Sequence, residues 1–301
     1  MSIYNVRLYE YGGVSRQLRL YKRPVTRKES IKEHLKPSEP SHTASGVQKK
    51  KKNPEERIRS PREIDHSINV SRNRTKQNIY QIARANRWEW YITLTLDPEK
   101  IDRTDYDLCV KTVRKWFNNI KFRSCPDLKY VIVPELHDDG KSWHFHGLLA
   151  NTEGLTFTDS GIKQKGRKVY NLADYKLGFT NCTKVGDTRK VSAYITKYIT
   201  KNLETSIKGK RRYLASKNCD KAEVKEYNVK PEEKDELLFY ASAMGEIGYM
   251  KSQDIPEAGQ LINYIELITD GSNDTLAFLL ESFASRIGER KAVPIETLSQ
   301  S

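Results

Sequence analysis

The sequence predicts an α+β protein in which helices pack on an antiparallel sheet, with a helical element at the C-terminal end. Three stretches of the 301-residue chain lead to this reading. In "YITLTLDP", Tyr91, Thr93 and Thr95 alternate with Ile92, Leu94 and Leu96, the period of a strand with one buried face, and Asp97-Pro98 ends it. In "RTDYDLCVKTVRKWFNNIKF", Leu108, Val113, Trp116, Phe117 and Ile120 line one helical side, with Cys125-Pro126 as a stop. The apolar runs "LKYVIVPEL" and "WHFHGLLA" flank Asp138-Asp139-Gly140, a turn that makes them antiparallel neighbours.

The remaining elements extend this order. Residues 1–20 alternate around Gly12-Gly13 and read as a small β-hairpin. Residues 21–77, including "QKKKKNPEER", carry too little hydrophobicity to offset ordering entropy and read as a flexible basic linker or arm. After a polar excursion over 151–176, "GFTNCTKV" forms another strand, and Asp187 caps a helix through "TRKVSAYITKYITKNL". The core domain, 78–230, therefore runs β-α-β-β-β-α, the order of a ferredoxin-like or RNA-recognition-type sheet. Over 231–301, "LINYIELI" and "TLAFLLESFASRI" have helical spacing, with Leu276, Leu279, Leu280, Phe283 and Ile287 in one stripe.

Charge separates these parts. The net charge is +14, yet residues 231–301 hold 13 acidic against 5 basic residues, so everything before them carries about +22. A positive field of that size attracts polyanions. No apolar run approaches the ~18 residues of a membrane span. The four cysteines show no paired CxxC spacing and no secretory signal precedes them, which points to reduced thiols in the cytoplasm.

The pair His144 and His146 shares one strand face, because successive side chains alternate, while Trp143, Phe145 and Leu149 take the other. The imidazoles are then about 7 Å apart along the strand, close enough to converge on an ion. The hairpin folds Glu135 back beside them as a third ligand, in preference to the competing His137 at the turn. Two imidazoles and a carboxylate suit a divalent ion with open positions, Mg²⁺ or Mn²⁺, with Zn²⁺ also compatible.

In "SAYITKYITK", Tyr194, Lys197, Tyr198 and Lys201 fall in one helical arc, and Val191, Ile195 and Ile199 in the adjoining one. The aliphatic arc can seat the helix, leaving two phenols about 6 Å apart, each beside a lysine. A phenol attacks poorly at neutral pH without assistance, which a metal and an ammonium can supply.

"YITLTLD", "WHFHGLL" and "AYITKYITK", in that order, resemble the three motifs of HUH-superfamily rolling-circle replication initiators. The tandem Tyr-x-x-Lys units are similar to those of phage gene A and gene II proteins, and "KGKRRYLASKN" resembles a segment that follows the tyrosine helix in such initiators. The resemblance spans about 88–218. It implies an HUH endonuclease fold and a DNA nickase. His144, His146 and Glu135 would hold the metal, and a tyrosine, Tyr194 in preference to Tyr198, would form a 5′-phosphotyrosine and a free 3′-hydroxyl. Lys197 and Lys201 would assist. The implied partners are single-stranded origin DNA, a host polymerase that extends the 3′ end and, in the absence of a GxxxxGK[ST] loop, a separate helicase.

Single-stranded DNA needs an electropositive path, for which Arg84, Arg87, Lys163, Lys165, Arg167, Lys168, Arg211 and Arg212 are candidates. Two readings compete. One is an HUH relaxase or transposase using the same site; the other is a non-catalytic nucleic-acid-binding module on the same kind of sheet.

Overall fold

A computed structural model describes residues 2–12, 15–27, 60–186, 190–192, 194–196, 210–243, 247–256, 259–267 and 278–283. It is an α+β structure with two antiparallel sheets and few helices, consistent with an HUH-like sheet carrying helices. The chain separates into two compact units, one of 1–8, 17–66 and 224–301, the other of 9–16 and 67–223. No described helix is long and apolar enough to cross a membrane.

The second unit is built on a seven-stranded sheet. Its strands are β3 (Trp90–Leu96), β4 (Lys129–Leu136), β5 (Trp143–Ala150), β6 (Phe157–Gln164), β7 (Arg167–Leu172), β8 (Gly178–Lys184) and β9 (Leu214–Ala215), in spatial order β6-β7-β8-β3-β5-β4-β9. Strand β3 lies between β5 and β8, and its alternation is realised: Trp90, Ile92, Leu94 and Leu96 are buried, while Tyr91, Thr93 and Thr95 are half-buried on the other face. The core joins these residues to Phe145 and Leu149 of β5, to α2 (Tyr106–Arg123) and to Ile79, Ile82 and Ala83 of α1 (Pro61–Ala85). Asp105 caps α2 by accepting from the backbone N–H groups of Asp107 and Leu108. The buried side of α2 is Tyr106, Cys109, Val113, Trp116 and Phe117; Leu108, expected inside, is exposed.

Two further segments depart from the sequence expectation. Residues 61–77, expected within a basic linker, form the first part of α1, starting with Pro61 where the missing N–H costs nothing. Their apolar content is sparse, Ile64 and Ile68 at one-turn spacing with an exposed Val70, so periodicity is weak. Residues 28–59 of that linker lie outside the described residues. The polar excursion over 151–176 contains the β6–β7 hairpin, turned by Lys165 and Gly166 at φ 49° and 77°. Most of β6 is exposed, so no apolar alternation marks it. Phe157 nevertheless anchors it by stacking on Trp90 at 3.9 Å between ring centroids.

The first unit carries a five-stranded sheet ordered β10-β1-β2-β12-β11, from β1 (Ser2–Tyr11), β2 (Ser15–Arg27), β10 (Glu223–Tyr227), β11 (Ile247–Ile255) and β12 (Gln260–Leu267). The N-terminal hairpin thus reaches Arg27, beyond the residue 20 expected. Val6 and Leu8, Leu18 and Leu20, and Ile265 and Leu267 alternate into one core with α4 (Pro231–Ala243) and the helical residues 278–283. The C-terminal region is therefore not wholly helical: "LINYIELI" supplies β12, pairing with β11 from Ile255↔Gln260 onward. Its apolar residues also satisfy a helical period, and the partner strand decides between the two.

Candidate metal and nucleophile site

Strand register builds the site. Residues directly opposite one another in neighbouring strands share a face, so β4, β5, β3 and β8 carry three cross-strand rows. The first is Glu135, His144, Thr95 and Phe179; the second Val133, His146, Thr93 and Asn181; the third Val131, Leu148, Tyr91 and Thr183. The turn that sets Glu135 opposite His144 is held by Asp139, whose carboxylate accepts from the Lys141 and Ser142 N–H groups at 2.8 Å each. Gly140 takes φ 69° there. Gly147, between the histidine and Leu148, has no room for a side chain: a Cβ would lie 2.2 Å from Ile132 Cδ1 and 2.8 Å from the Val131 carbonyl.

Three ligand atoms converge. Glu135 Oε2 lies 3.1 Å from His144 Nε2 and 2.6 Å from His146 Nε2, and the two nitrogens are 2.9 Å apart. Adjacent ligands about an ion with bonds of ~2.1 Å are about 3 Å apart, so this triangle fits one face of such an ion's coordination shell. Among the described residues this is the group of three that could hold a metal ion, and Glu135 and His146 are buried. Burial acts to raise the Glu135 carboxyl, but hydrogen bonds and charge from His144 and His146 outweigh it and hold the group well below the usual carboxylate range. His137 lies outside this group, its Nδ1 4.0 Å from Asp139 Oδ2 at the exposed turn.

The outer nitrogens differ. His146 Nδ1 meets Tyr91 Oη at 2.8 Å and Thr93 Oγ1 at 3.1 Å. With Nε2 turned toward a cation, Nδ1 carries the proton and donates to these hydroxyls, which orients the ring. His144 Nδ1 is buried with no hydrogen-bond partner among the described residues. Sequence reasoning does not single out Tyr91 and Thr93 as site residues. Their parity in "YITLTLD" is visible, but which strand they face is a matter of register.

Tyr91 also links the triad to the tyrosine helix. The described part of that helix, α3 (residues 190–196 except 193), buries Ile195 and Thr196 and exposes Tyr194. The Tyr194 ring meets Tyr91 edge-on, centroids 5.4 Å apart, and Tyr91 in turn stacks near His146. Asp187, Lys197, Tyr198 and Lys201 lie outside the described residues.

The candidate DNA-contacting cations do not behave alike. Arg84 is a correction: it is 2 % exposed, its guanidinium donates to Ser15 Oγ at 2.9 Å and lies over Tyr11, so it supports the hairpin tip and is withheld from phosphate. Arg87, Lys163, Lys165, Arg167 and Lys168 are exposed, Lys168 being paired with Asp159 at 2.9 Å. Arg211 is exposed and Arg212 half-buried just before β9.

The register and the convergent carboxylate and imidazoles are consistent with an HUH-like sheet carrying a Glu-His-His group that could hold a metal ion. Residues 89–203 match the family model of replication-associated proteins of the ORF2 and gene II protein type, which supports a rolling-circle replication initiator and implies involvement of DNA. No curated protein and no solved structure matches the chain.

Proposed function

We propose that the protein is an origin nickase that cuts single-stranded DNA by tyrosine transesterification. The observation that carries this reading is the chain of contacts from the Glu135, His144 and His146 group through Tyr91 to the exposed Tyr194. Glu135, His144 and His146 hold the ion, Mg²⁺ or Mn²⁺ by the ligand set, and such an ion, when bound, draws charge from a phosphodiester.

The Tyr194 phenolic oxygen attacks phosphorus and loses its proton to solvent. The bond from phosphorus to the 3′-oxygen breaks, and that oxygen takes up a proton as the free 3′-hydroxyl. The 5′-phosphotyrosine keeps the phosphodiester bond count, so a second attack by a hydroxyl reverses the link and rejoins strands. Tyr198, four residues on in the sequence, is the second nucleophile, with Lys197 and Lys201 stabilising developing charge. The 3′ end is extended by a host polymerase, with a separate helicase opening the duplex.

Incubation with Mn²⁺ and single-stranded oligonucleotides spanning the protein's own replicon should give a covalent adduct on denaturing gels, lost in His144→Ala. Comparing Tyr194→Phe, Tyr198→Phe and the double variant assigns the nucleophile. The absence of an adduct with every strand tested sinks the nickase reading in favour of a binding module.

A further inference from the structure

The row that holds Glu135 and His144 ends on β8 at Phe179, a ring 74 % exposed on an interior strand of the sheet. The rest of the histidine face on β3 and β8 is half-buried and carries hydroxyls and an amide, on Tyr91, Thr93, Thr95, Asn181 and Thr183. A single exposed apolar side chain is ordinary on a protein surface. This one is fixed in a defined place. Gly178, just before it, approaches β3 so closely that a Cβ would lie 2.2 Å from the Thr95 carbonyl oxygen, and Thr95 is the residue opposite both Phe179 and His144. Two strand spacings put Phe179 about 10 Å from His144.

Its position is distinct from that of the nucleophile. Tyr194 contacts Tyr91, two rows along β3 from Thr95, whereas Phe179 shares the row of Thr95, His144 and Glu135, so the two rings lie in different directions from the Glu-His-His group. Beyond the Tyr91 end, the register Tyr170↔Cys182 carries the β6–β7 tip, with exposed Lys163, Lys165 and Arg167, past Lys184. A polyanion drawn to the cationic tip and held at the metal group therefore has Phe179 on the same face of the sheet, about 10 Å from His144. The geometry points to Phe179 as the stacking platform for a base flanking the scissile phosphate of single-stranded DNA. This assignment rests on the proposed nickase reading for its scissile phosphate, but the stacking itself does not require cleavage.

The test uses the full-length protein in EDTA with a fluorescein-labelled thymidine homopolymer, because stacking tolerates any base. Phe179→Ala should weaken binding about 5- to 150-fold, Phe179→Leu nearly as much, and Phe179→Tyr little. A 2-aminopurine placed along the strand should be quenched by the wild type and Phe179→Tyr, and released from quenching in the other two. Binding and quenching by Phe179→Ala equal to wild type, with an unchanged melting midpoint, overturn the assignment; so does a wild type that does not bind the homopolymer. Adduct formation with Mn²⁺ is scored separately. An adduct with no binding defect in Phe179→Ala refutes the platform alone, whereas a binding defect without any wild-type adduct refutes the nickase alone.

Discussion

Removing the Tyr91 and Thr93 hydroxyls from His146 should weaken metal binding without disturbing the sheet. Tyr91→Phe deletes the hydroxyl 2.8 Å from Nδ1 and keeps the ring against Tyr194; Thr93→Val deletes the one at 3.1 Å and keeps the volume. Each single change leaves the other hydroxyl in place, so each should cost about 0.5–1.5 kcal/mol, roughly 2- to 13-fold in affinity. The double variant takes both acceptors from a nitrogen on a ring only 8 % exposed. Loss of such outer hydrogen bonds typically weakens metal affinity by about 10- to 100-fold. Isothermal titration of Mn²⁺ into the four proteins reads this directly, with melting curves as the control for folding. A double variant that binds Mn²⁺ within about twofold of wild type refutes the idea that these hydroxyls orient the ligand.

Three further outcomes follow from the same geometry. Gly147→Ala should lower stability in urea by about 1–3 kcal/mol, because its Cβ meets Ile132 Cδ1 and the Val131 carbonyl, and Ile132→Val should restore part of the loss; additivity of the two would contradict the clash. Hydrogen bonds from Ser142 and Lys141 hold the Asp139 carboxyl below its ordinary 3.8, so the turn's contribution is full above that pH and fades as pH falls through the lower folded value. The melting-point gap between wild type and Asp139→Ala should therefore close only in strong acid; a gap independent of pH would exclude the carboxylate as its source. Replacing Lys163, Lys165 and Arg167 with alanine should flatten the dependence of single-stranded DNA affinity on salt by about 0.7 in log–log slope for each phosphate no longer engaged, and an unchanged slope would remove the β6–β7 tip from the DNA path.

Much of this was legible in the chain because strand parity is a local property. The alternation in "YITLTLD" and "WHFHGLL" separates core from site residues without knowledge of partners. A short Asp-Asp-Gly turn similarly leaves few ways to fold Glu135 back, and it comes to lie directly opposite His144. Elements with weak apolar contrast were harder. The β6–β7 hairpin is mostly exposed and held by backbone pairing, and β12 became a strand because β11 is beside it. Arg84 shows the same limit for charge: nothing in "YQIARANR" distinguishes an arginine buried against Tyr11 and Ser15 from one in solvent.

By itself the sequence determined the residue types and their faces: two imidazoles on one side of a strand, a carboxylate one turn back, a phenol on a helix whose aliphatic side is spoken for. Only the tertiary structure decided that Tyr91 and Thr93 meet His146, that Tyr194 rests on Tyr91, and that Phe179 ends the row of the metal ligands. These are relations between strands far apart in the chain. Register and strand order set them, and both arise from packing across the whole sheet rather than from any local period.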